Sequence, residues 1–241
     1  MDNNKKTLIA FDFDQTIIDE ESTSKLINLL NNPVFHETDL HLKHFRSKWV
    51  VYLQDLFKRL NSENVSTKSI QEIFESLRWV NEIDSLFKYL SENLHLYEII
   101  IISGSNVLFI SWFVQYHKLP VKFIIAQQAT VVESDLIKIW TEQTDTCNKC
   151  PDYCKRIELE NYIKNNNINY NRLIYIGDGA NDLCPSRLLN QDDYLFVRKN
   201  FQLFNILKSV SIEDRKLMTK GKIHFWEKGR EILEEIKKIK H

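Results

Sequence analysis

The stretch TLIAFDFDQT, from Thr7 to Thr16, decides the fold of this chain because an apolar run ends there at two carboxylates. Thr7 to Phe11 is short, apolar and free of Gly and Pro, which predicts a buried β-strand. Asp12 and Asp14 follow it in one exposed loop, at the edge where α/β sheets hold ligands. Because neighbouring carboxylates raise each other's pKa, the pair implies a divalent metal.

The spacing of Asp12 and Asp14 also suits catalysis. One carboxylate can act as nucleophile and metal ligand while its neighbour transfers a proton. The alternative is a solvated turn, because Asp is common in turns after strands. On this stretch alone we favour the catalytic interpretation.

Composition and charge narrow the class of protein. The chain has 241 residues, enough for one large or two modest domains with a sizeable core. Hydrophobic residues make up 43% and charged residues 27%, as in ordinary soluble globular proteins. A net charge of −1 gives no field that favours nucleic acid or an anionic membrane as partner. No signal peptide and no apolar stretch of ~18 residues is visible, so we expect a cytoplasmic protein.

The organisation of the chain predicts a sheet interrupted by an insertion. From about residue 22 to residue 90, apolar residues recur at helical spacing and no strand pattern interrupts them. We therefore predict a helical cap, residues 22–90, inserted into a catalytic core formed by residues 1–21 and 91–241.

The rest of the chain alternates strands with helices. Further strands are predicted at 96–102, 121–125, 173–176 and 194–197, with a loose hairpin at 129–140, a helix at 151–164 and helices at the end. This alternation is typical of a parallel sheet covered on both faces. We predict an α/β fold with a doubly wound, Rossmann-like parallel sheet.

Three of the predicted strands end in polar loops: Asp12 to Thr16, Ser103 to Ser105 and Gly177 to Asp182. Such loops meet in one crevice of a doubly wound sheet. The third loop adds oxygen donors on a turn that glycine permits, and hard oxygen ligands favour Mg²⁺. Helix capping is an alternative role for Asp182, whereas Asp178 is harder to explain in that way.

Two further residues are candidates for phosphate binding. Ser103 can offer its hydroxyl and nearby backbone N–H groups to a phosphate, with an ordinary helix N-cap as an equal alternative. Lys155 can neutralise phosphate charge, although a lysine on a predicted helix is by itself more often solvated.

Three of the four cysteines lie together, at Cys147, Cys150 and Cys154. Their spacing fits part of a zinc site, with Cys184 as a distant fourth ligand. Small buried thiols at a helix start are the interpretation that we favour. The sequence leaves metal binding by the cysteines open.

The ordered set of motifs resembles the haloacid dehalogenase superfamily over essentially the whole chain. Asp12-x-Asp14-x-Thr16 resembles its first motif, Ser103 its second, Lys155 its third and Gly177-Asp178-Gly179-x-Asn181-Asp182 its fourth. More narrowly, the chain resembles the branch of phosphoethanolamine/phosphocholine phosphatases and pyridoxal phosphate phosphatases. The segments that carry this narrower resemblance are FDFDQTIID from residue 11, IIISGSN from residue 100, CNKCP from residue 147 with CK at 154–155, and YIGDGANDLCP from residue 175.

The resemblance implies a Mg²⁺-dependent hydrolysis of a small-molecule phosphate monoester. Asp12 would attack phosphorus to form an aspartyl-phosphate, while Asp14 would protonate the leaving alkoxide and then activate water. Mg²⁺ would be held by Asp12, by the backbone carbonyl of Asp14 and by Asp178. Phosphoryl binding is implied for Thr16, Ser103 and Lys155, and support of the metal ligands for Asn181 and Asp182. Closure of the cap would exclude water.

Two predicted substrate-binding positions depart from the branch. Gly104 stands where the branch commonly has Asp after the second-motif serine, and Thr23 stands where a second Asp is common. Both carboxylates that would favour a cationic amine are missing, although Glu20 or Glu21 could compensate. The leaving group therefore stays open between pyridoxal phosphate, phosphoethanolamine and phosphocholine types. The segment between Cys150 and Cys154 is also one residue shorter than is usual in the branch, which concerns the register of Lys155.

Two other functions remain as alternatives. A phosphotransferase or mutase of the same fold would use the same aspartyl-phosphate but exclude water. A non-catalytic phosphate-binding module would be expected to lose Asp12 or Asp14, and both are present. The oligomeric state is left open.

Overall fold

The computed structural model describes residues 6–31, 49–145, 147–150, 153–166 and 170–239. Within them, one sheet of seven strands has the order β4-β3-β2-β1-β5-β6-β7. The strands are β1 Thr7–Phe11, β2 Tyr97–Asn106, β3 Phe123–Val132, β4 Leu136–Trp140, β5 Arg172–Gly177, β6 Tyr194–Arg198 and β7 Lys222–Trp226. All neighbouring pairs are parallel except β3 and β4, which are antiparallel. The predicted doubly wound α/β fold is confirmed.

The central position of β1 determines where the site forms. All five residues of β1 are buried, and the strand pairs with β2 on one side and with β5 on the other. Its last residue, Phe11, is in register with Ile101 and Ile176. The residues that follow Phe11, Ile101 and Ile176 therefore lie side by side at the carboxyl edge of the sheet, although β2 itself continues to Asn106.

Helices cover both faces of the sheet. They are α1 Ser22–Ile27, α2 Trp49–Ser62, α3 Thr67–Glu75, α4 Ile83–Glu92, α5 Val107–Tyr116, α6 Lys155–Asn165, α7 Gln202–Ser209, α8 Ile212–Met218 and α9 Gly229–Ile236. Alternate residues of β1 point to opposite faces, so Ile9 and Phe11 join one hydrophobic cluster and Leu8 and Ala10 another. No described helix is long and apolar enough to cross a membrane.

The described parts of the predicted cap contain the four helices α1 to α4 and short non-helical segments, and residues 32–48 of it lie outside the described part of the chain. Its buried hydrophobic residues from α1 to α4 belong to the same hydrophobic cluster as Phe11 of β1. Phe87 of α4 stacks on Phe11 at 5.1 Å between ring centroids, and α4 packs against α9. The described helices of residues 22–90 thus share a core with the sheet, and the division into two domains stays a prediction.

The other predicted elements agree with the structure except at the end of the chain. The hairpin is confirmed, since β3 and β4 pair in antiparallel register from Gln128 to Trp140. The helix predicted at 151–164 begins at Lys155, and residues 151 and 152 lie outside the description. The strand β7 was not predicted. It lies at the sheet edge and its residues are mixed, with Lys222 exposed and Trp226 buried, so it lacks the apolar run of a central strand.

Candidate active site

The loop after β1 holds the Asp12 carboxylate in an almost fully buried position. Asp12 is 5% exposed, and its Oδ1 accepts a hydrogen bond of 2.7 Å from the backbone N–H of Phe13. The loop turns back through hydrogen bonds from the N–H groups of Thr16 and Ile17 to the carbonyl of Phe13. Gln15 adopts a left-handed backbone conformation with φ of 55°. The turn leaves Asp12 and Asp14 on one loop, as predicted.

Lys155 is the buried cation of the site. It is the first residue of α6 and only 1% exposed. Its Nζ lies 2.8 Å from Asp12 Oδ1 and donates to Asp182 Oδ1 at 2.7 Å. The interpretation of Lys155 as a solvated helical lysine is therefore wrong. Lys155 reaches Asp12 directly, so the length of the segment before Cys154 does not displace it from the site.

Asp182 uses both of its carboxylate oxygens to hold other parts of the site. Oδ2 accepts from the backbone N–H groups of Asp178 and Gly179 at 3.0 and 2.9 Å, and Oδ1 accepts from Tyr175 at 2.6 Å as well as from Lys155. The predicted capping role is thus present, but it is one part of a larger network. Asp182 is fully buried, which suits a positioning residue better than a metal ligand.

The glycines of the loop after β5 make room for carboxylate and amide oxygens. A Cβ on Gly177 would overlap the Asp182 carboxylate, and one on Gly179 would overlap Oδ1 of Asn181. None of the described glycines has a positive φ. The predicted need for glycine in this turn therefore comes from the close approach of side chains and not from a positive φ.

Asp178 receives a hydrogen bond from the first loop. The hydroxyl of Thr16 donates to Asp178 Oδ1 at 3.1 Å. Thr16 is fully buried and is not part of the cavity wall, so its side chain holds Asp178 rather than pointing at a bound phosphate. This contact differs from the predicted phosphoryl-binding role of Thr16.

Charge is unbalanced around these groups, because among the described residues the carboxylates of Asp12, Asp178 and Asp182 surround the single ammonium group of Lys155. Burial, followed by the charge of Asp182, raises the pKa of Asp12 well above its ordinary value. The same two causes raise the pKa of Asp178 to about 7. Burial lowers the pKa of Lys155, but Asp12 and Asp182 outweigh it and the net shift is upward. The arrangement favours an additional cation.

Asp14 is held by the beginning of α1. Its Oδ1 accepts a hydrogen bond of 2.7 Å from the backbone N–H of Ser22. Burial, followed by the charge of Glu21, raises the pKa of Asp14 to about 7. A carboxyl group with such a pKa can give and take a proton near neutral pH.

Ser103 lies near the end of β2, where the strand continues to Asn106. Its Oγ accepts from the N–H of Ser105 at 3.1 Å, and the side chain is almost fully buried. The N-cap of α5 is Asn106, which accepts from the N–H of Phe109. Ser103 is therefore not the helix cap, which removes the alternative to a ligand-facing role.

These loops surround a cavity of about 790 Å³. Eight predicted site residues line it: Asp12, Asp14, Thr23, Ser103, Gly104, Lys155, Asp178 and Asn181. Further walls come from Glu21, Trp49, Lys149, Tyr153, Arg187 and Phe201. The cavity is large enough for a phosphate ester with an organic leaving group.

Arg198 is a site residue that the sequence reasoning missed. It is the last residue of β6, and its guanidinium donates to the backbone carbonyl of Gln15 at 2.7 Å and pairs with Asp19. Arg198 thus braces the left-handed residue of the nucleophile loop. Asp12 and Asp178 were predicted as site residues because they follow strands of the parallel sheet. Arg198 follows the predicted strand 194–197 in the same way, so the same reasoning would have identified it.

Two sets of described residues bring three or more metal-type ligand atoms within 4.8 Å of one another. One is the oxygen set of Asp12, Asp178 and Asp182, of which Asp12 and Asp178 suit a hard cation such as Mg²⁺, since both oxygens of Asp182 already accept hydrogen bonds. The other joins Cys147, Cys150, Cys154 and Cys184.

Comparison with known proteins identifies relatives for nearly the whole chain. The model of a family described as "Putative Phosphatase" matches residues 7–239. The pyridoxal phosphate phosphatase PHOSPHO2 of Homo sapiens is 29% identical over 213 residues, covering 86% of this chain and 88% of the relative. The phosphoethanolamine/phosphocholine phosphatase of Homo sapiens is 26% identical over 208 residues, covering 83% and 77%.

Solved structures share the fold. A substrate-bound phosphoserine phosphatase superposes with a TM-score of 0.64 at 16% identity, covering 96% of this chain and 98% of the other. A cytosolic 5'-nucleotidase IIIB bound to cytidine gives a TM-score of 0.58 at 13% identity, with 98% and 87% covered. At this identity the likeness concerns the fold alone.

Proposed function

This chain is a phosphatase that belongs to the putative phosphatase family of the haloacid dehalogenase superfamily, and from that premise we propose that it hydrolyses a small-molecule phosphate monoester with Mg²⁺ and through an aspartyl-phosphate. The observation that carries the proposal is the meeting of Asp12, Asp14, Asp178 and Lys155 in the wall of one cavity.

The oxygen donors fit Mg²⁺. The contacts of Asp12 with Phe13 and Lys155 both use Oδ1, and the contact of Asp178 with Thr16 uses Oδ1, so each carboxylate keeps Oδ2 for another partner within the described part of the chain. Asp12 and Asp178, with the backbone carbonyl of Asp14, would hold the ion. Bound there, Mg²⁺ supplies positive charge beside the nucleophile and the phosphate oxygens.

In the first step, Asp12 attacks the phosphorus of the ester. A bond forms between a carboxylate oxygen of Asp12 and phosphorus while the bond from phosphorus to the leaving oxygen breaks. Asp14 gives its proton to that oxygen, so the leaving group departs as an alcohol. The raised pKa of Asp14, about 7, supports a protonated carboxyl group at the start of this step.

In the second step, water attacks the phosphorus of the aspartyl-phosphate. Asp14, now a carboxylate, takes a proton from the water, and the bond between phosphorus and Asp12 breaks. Inorganic phosphate leaves, and both aspartates return to their first state. Ser103 and Lys155 support this step as donors to the phosphoryl oxygens, where negative charge is concentrated.

The helical segment 22–90 is proposed as the lid over this chemistry. Thr23 of α1 and Trp49 of α2 line the cavity, which supports contact with the leaving group. Trp49 also donates from Nε1 to the carbonyl of Gly104 at 3.1 Å. Because Phe87 stacks on Phe11, the part that moves would lie before α4.

Among leaving groups, we propose an aromatic alcohol of the pyridoxal type. Trp49, Tyr153 and Phe201 contribute aromatic surface to the cavity, and flat rings bind favourably against such surface. Thr23 and Gly104 contribute no carboxylate for a cationic amine. Apart from the aspartates of the site, Glu21 is the one acidic residue of the described cavity wall, and burial raises the pKa of its carboxyl group, which weakens it as a partner for a cation. The relative named as a pyridoxal phosphate phosphatase supports this choice.

The experiment measures phosphate release from pyridoxal phosphate, phosphoethanolamine and phosphocholine by the purified chain, with Mg²⁺ and with EDTA. We expect turnover of pyridoxal phosphate that requires Mg²⁺ and is lost in Asp178→Asn. Transfer of phosphate to an added alcohol without release would favour the phosphotransferase alternative. No turnover of any ester by folded protein would contradict the proposed hydrolysis.

The leaving-group class is tested separately by Gly104→Asp. A Cβ at Gly104 meets no atom within 4 Å, so the cavity has space for the new side chain. We expect the ratio of kcat/KM for phosphoethanolamine to that for pyridoxal phosphate to rise by about tenfold, because the carboxylate pairs with the amine. Gly104→Asn is the matched control without the charge. An equal change in both variants would refute the charge argument.

A further inference from the structure

The four cysteines of the chain meet at one point beside the cavity. Cys147, Cys150 and Cys154 come from the segment before α6, and Cys184 comes from the loop after β5. Their sulfur atoms all lie within 4.8 Å of one another. We call this group the thiol cluster.

The sulfur separations match a shared metal ion. Cys147 Sγ and Cys184 Sγ are 3.7 Å apart, and Cys154 Sγ and Cys184 Sγ are 3.5 Å apart. Sulfurs at about 2.3 Å from a tetrahedral Zn²⁺ lie about 3.8 Å from one another. A disulfide would require about 2.05 Å, and all four cysteines are free.

The backbone around the thiol cluster directs donors at the sulfurs. Residues 147–150 form a tight turn in which the N–H of Cys150 donates to the carbonyl of Cys147 at 3.2 Å. The N–H of Lys149 donates to the Cys147 sulfur, and the N–H of Ile157 donates to the Cys154 sulfur. Such N–H donors stabilise thiolate ligands and fix their orientation.

A cationic side chain borders the thiol cluster, and two of its cysteines are buried. The guanidinium of Arg156 contacts the sulfurs of Cys147 and Cys184. Cys154 and Cys184 are buried and pack with Ile157. A metal with four protein ligands in such surroundings has no open position for a substrate, which is the pattern of structural sites.

We propose that the thiol cluster binds one Zn²⁺ through all four cysteine sulfurs, as a structural ion separate from the oxygen site. Soft thiolates in tetrahedral arrangement select zinc over Mg²⁺. Binding replaces the thiol protons with the metal, so protons are released to solvent as the zinc–sulfur bonds form. An iron–sulfur cluster would hold the sulfur pairs farther apart than a single ion does.

The zinc would fix one wall of the cavity. Lys149, Cys150 and Tyr153 line the cavity from the segment before α6, and Cys184 lines it from the loop after β5. Because the four ligands come from both segments, the metal would link the segment before α6 to the loop after β5. Lys155 follows Cys154 directly, so the same ion holds the start of α6 in place.

The first test uses the wild-type protein, purified without chelators from zinc-containing medium. Elemental analysis should find about one zinc per chain, and X-ray absorption should show only sulfur neighbours at about 2.3 Å. Replacement by Co²⁺ should give the intense sulfur-to-cobalt charge-transfer bands of tetrahedral thiolate sites. A zinc content below about a tenth per chain, with thiols that react freely or form disulfides in native protein, would overturn the proposal.

Variants then assign the ligands. Cys184→Ser should lower zinc affinity at least about tenfold, and Cys147→His, which keeps a zinc ligand, should retain most of it. Asp178→Asn is the control for zinc at the oxygen site and should keep its full zinc content. Loss of zinc in Asp178→Asn but not in Cys184→Ser would place the ion at the carboxylates and refute the proposal.

A second measurement uses only the wild type, so it tests the proposal even if a cysteine variant fails to fold. Stripping zinc from the wild type should lower Tm by at least about 4 °C, and restoring zinc should reverse the change. Mg²⁺ should not reverse it. Equal Tm values for stripped and zinc-loaded protein would contradict a structural ion.

Discussion

The strand β2 carries a buried polar cluster near each end, and the two differ in charge balance. Near its amino end, Glu98 is 5% exposed and accepts hydrogen bonds from Lys122, Tyr162 and Tyr170. Near its carboxyl end, Ser103 faces the site where three carboxylates share Lys155. Burial alone would raise the pKa of Glu98, but the bonds from Lys122 and the two tyrosines outweigh it and lower the pKa.

This difference in charge balance distinguishes a structural cluster, around Glu98, from a reactive one, around Asp12 and Asp178. At Glu98, one carboxylate has one cation and two phenol donors, so its charge is compensated. At Asp12 and Asp178 the pKa is raised instead, because burial and neighbouring carboxylates exceed what Lys155 offsets. A pKa that is strongly shifted by burial and neighbouring charges is typical of catalytic and metal-binding groups. We therefore expect mutations at the two clusters to affect different quantities.

The largest effect is expected for Asp12→Asn. Loss of the nucleophile should lower kcat by about a thousandfold or more, because an amide does not attack phosphorus. The free energy of unfolding should change by less than about 1 kcal/mol, since repulsion from Asp182 is relieved while the bond to Lys155 weakens. Phosphate-release kinetics and urea denaturation measure the two quantities. Retained turnover would refute the assignment of Asp12.

Glu98→Gln is the opposite case. The amide keeps hydrogen-bond acceptance but loses the charge that pairs with Lys122, so we expect a loss of about 1–3 kcal/mol in unfolding free energy. The kcat should stay within about twofold of wild type, because Glu98 lies outside the cavity wall. A large fall in kcat with unchanged stability would break the distinction between the clusters.

Acid pH should remove the stabilisation by Glu98. A carboxyl group whose folded pKa is depressed contributes stability above its unfolded pKa, near 4.5, and loses it as pH falls through the folded pKa. The difference in unfolding free energy between wild type and Glu98→Gln should therefore be constant near neutral pH and shrink below about pH 4.5. Denaturation curves over pH 3–7 provide the measurement. A difference that grows in acid would reverse the sign of the pKa shift.

The smallest effects are expected for a pair of tyrosines. Tyr170 donates to Glu98 and Tyr175 donates to Asp182, so each Phe variant removes one hydroxyl from a buried carboxylate. We expect about 0.5–1.5 kcal/mol of destabilisation in both. Only Tyr175→Phe should also lower kcat, because Asp182 positions Lys155. Equal kinetics in the two variants would show that the Asp182 network does not affect catalysis.

Much of the site could be predicted from the sequence, because residues that follow the strands of a parallel sheet meet at one edge of that sheet. Asp12, Ser103 and Asp178 were found because each follows a clear apolar run, and the structure brings them into one cavity. Arg198 also follows a predicted strand but was missed. The edge strand β7 was missed because its residues are mixed rather than apolar.

Contacts between distant residues could not be read from local patterns. The bond from Thr16 to Asp178 joins residues that are 162 positions apart. Glu98 appeared only as one charged residue in an apolar strand, since its three partners come from other elements. Cys184 was named as a distant fourth ligand, but only the fold shows its sulfur within 4.8 Å of the other three.

The direct succession of Cys154 and Lys155 limits how the length of this chain can change. The two residues serve different clusters, and their Cα atoms are about 3.8 Å apart, the fixed span of one trans peptide. An insertion or deletion between them would separate the thiol cluster from the cation of the site. A change of length between Cys150 and Cys154 falls before this pair and leaves it intact. Related chains should therefore vary in length on either side of Cys154–Lys155 but never within it.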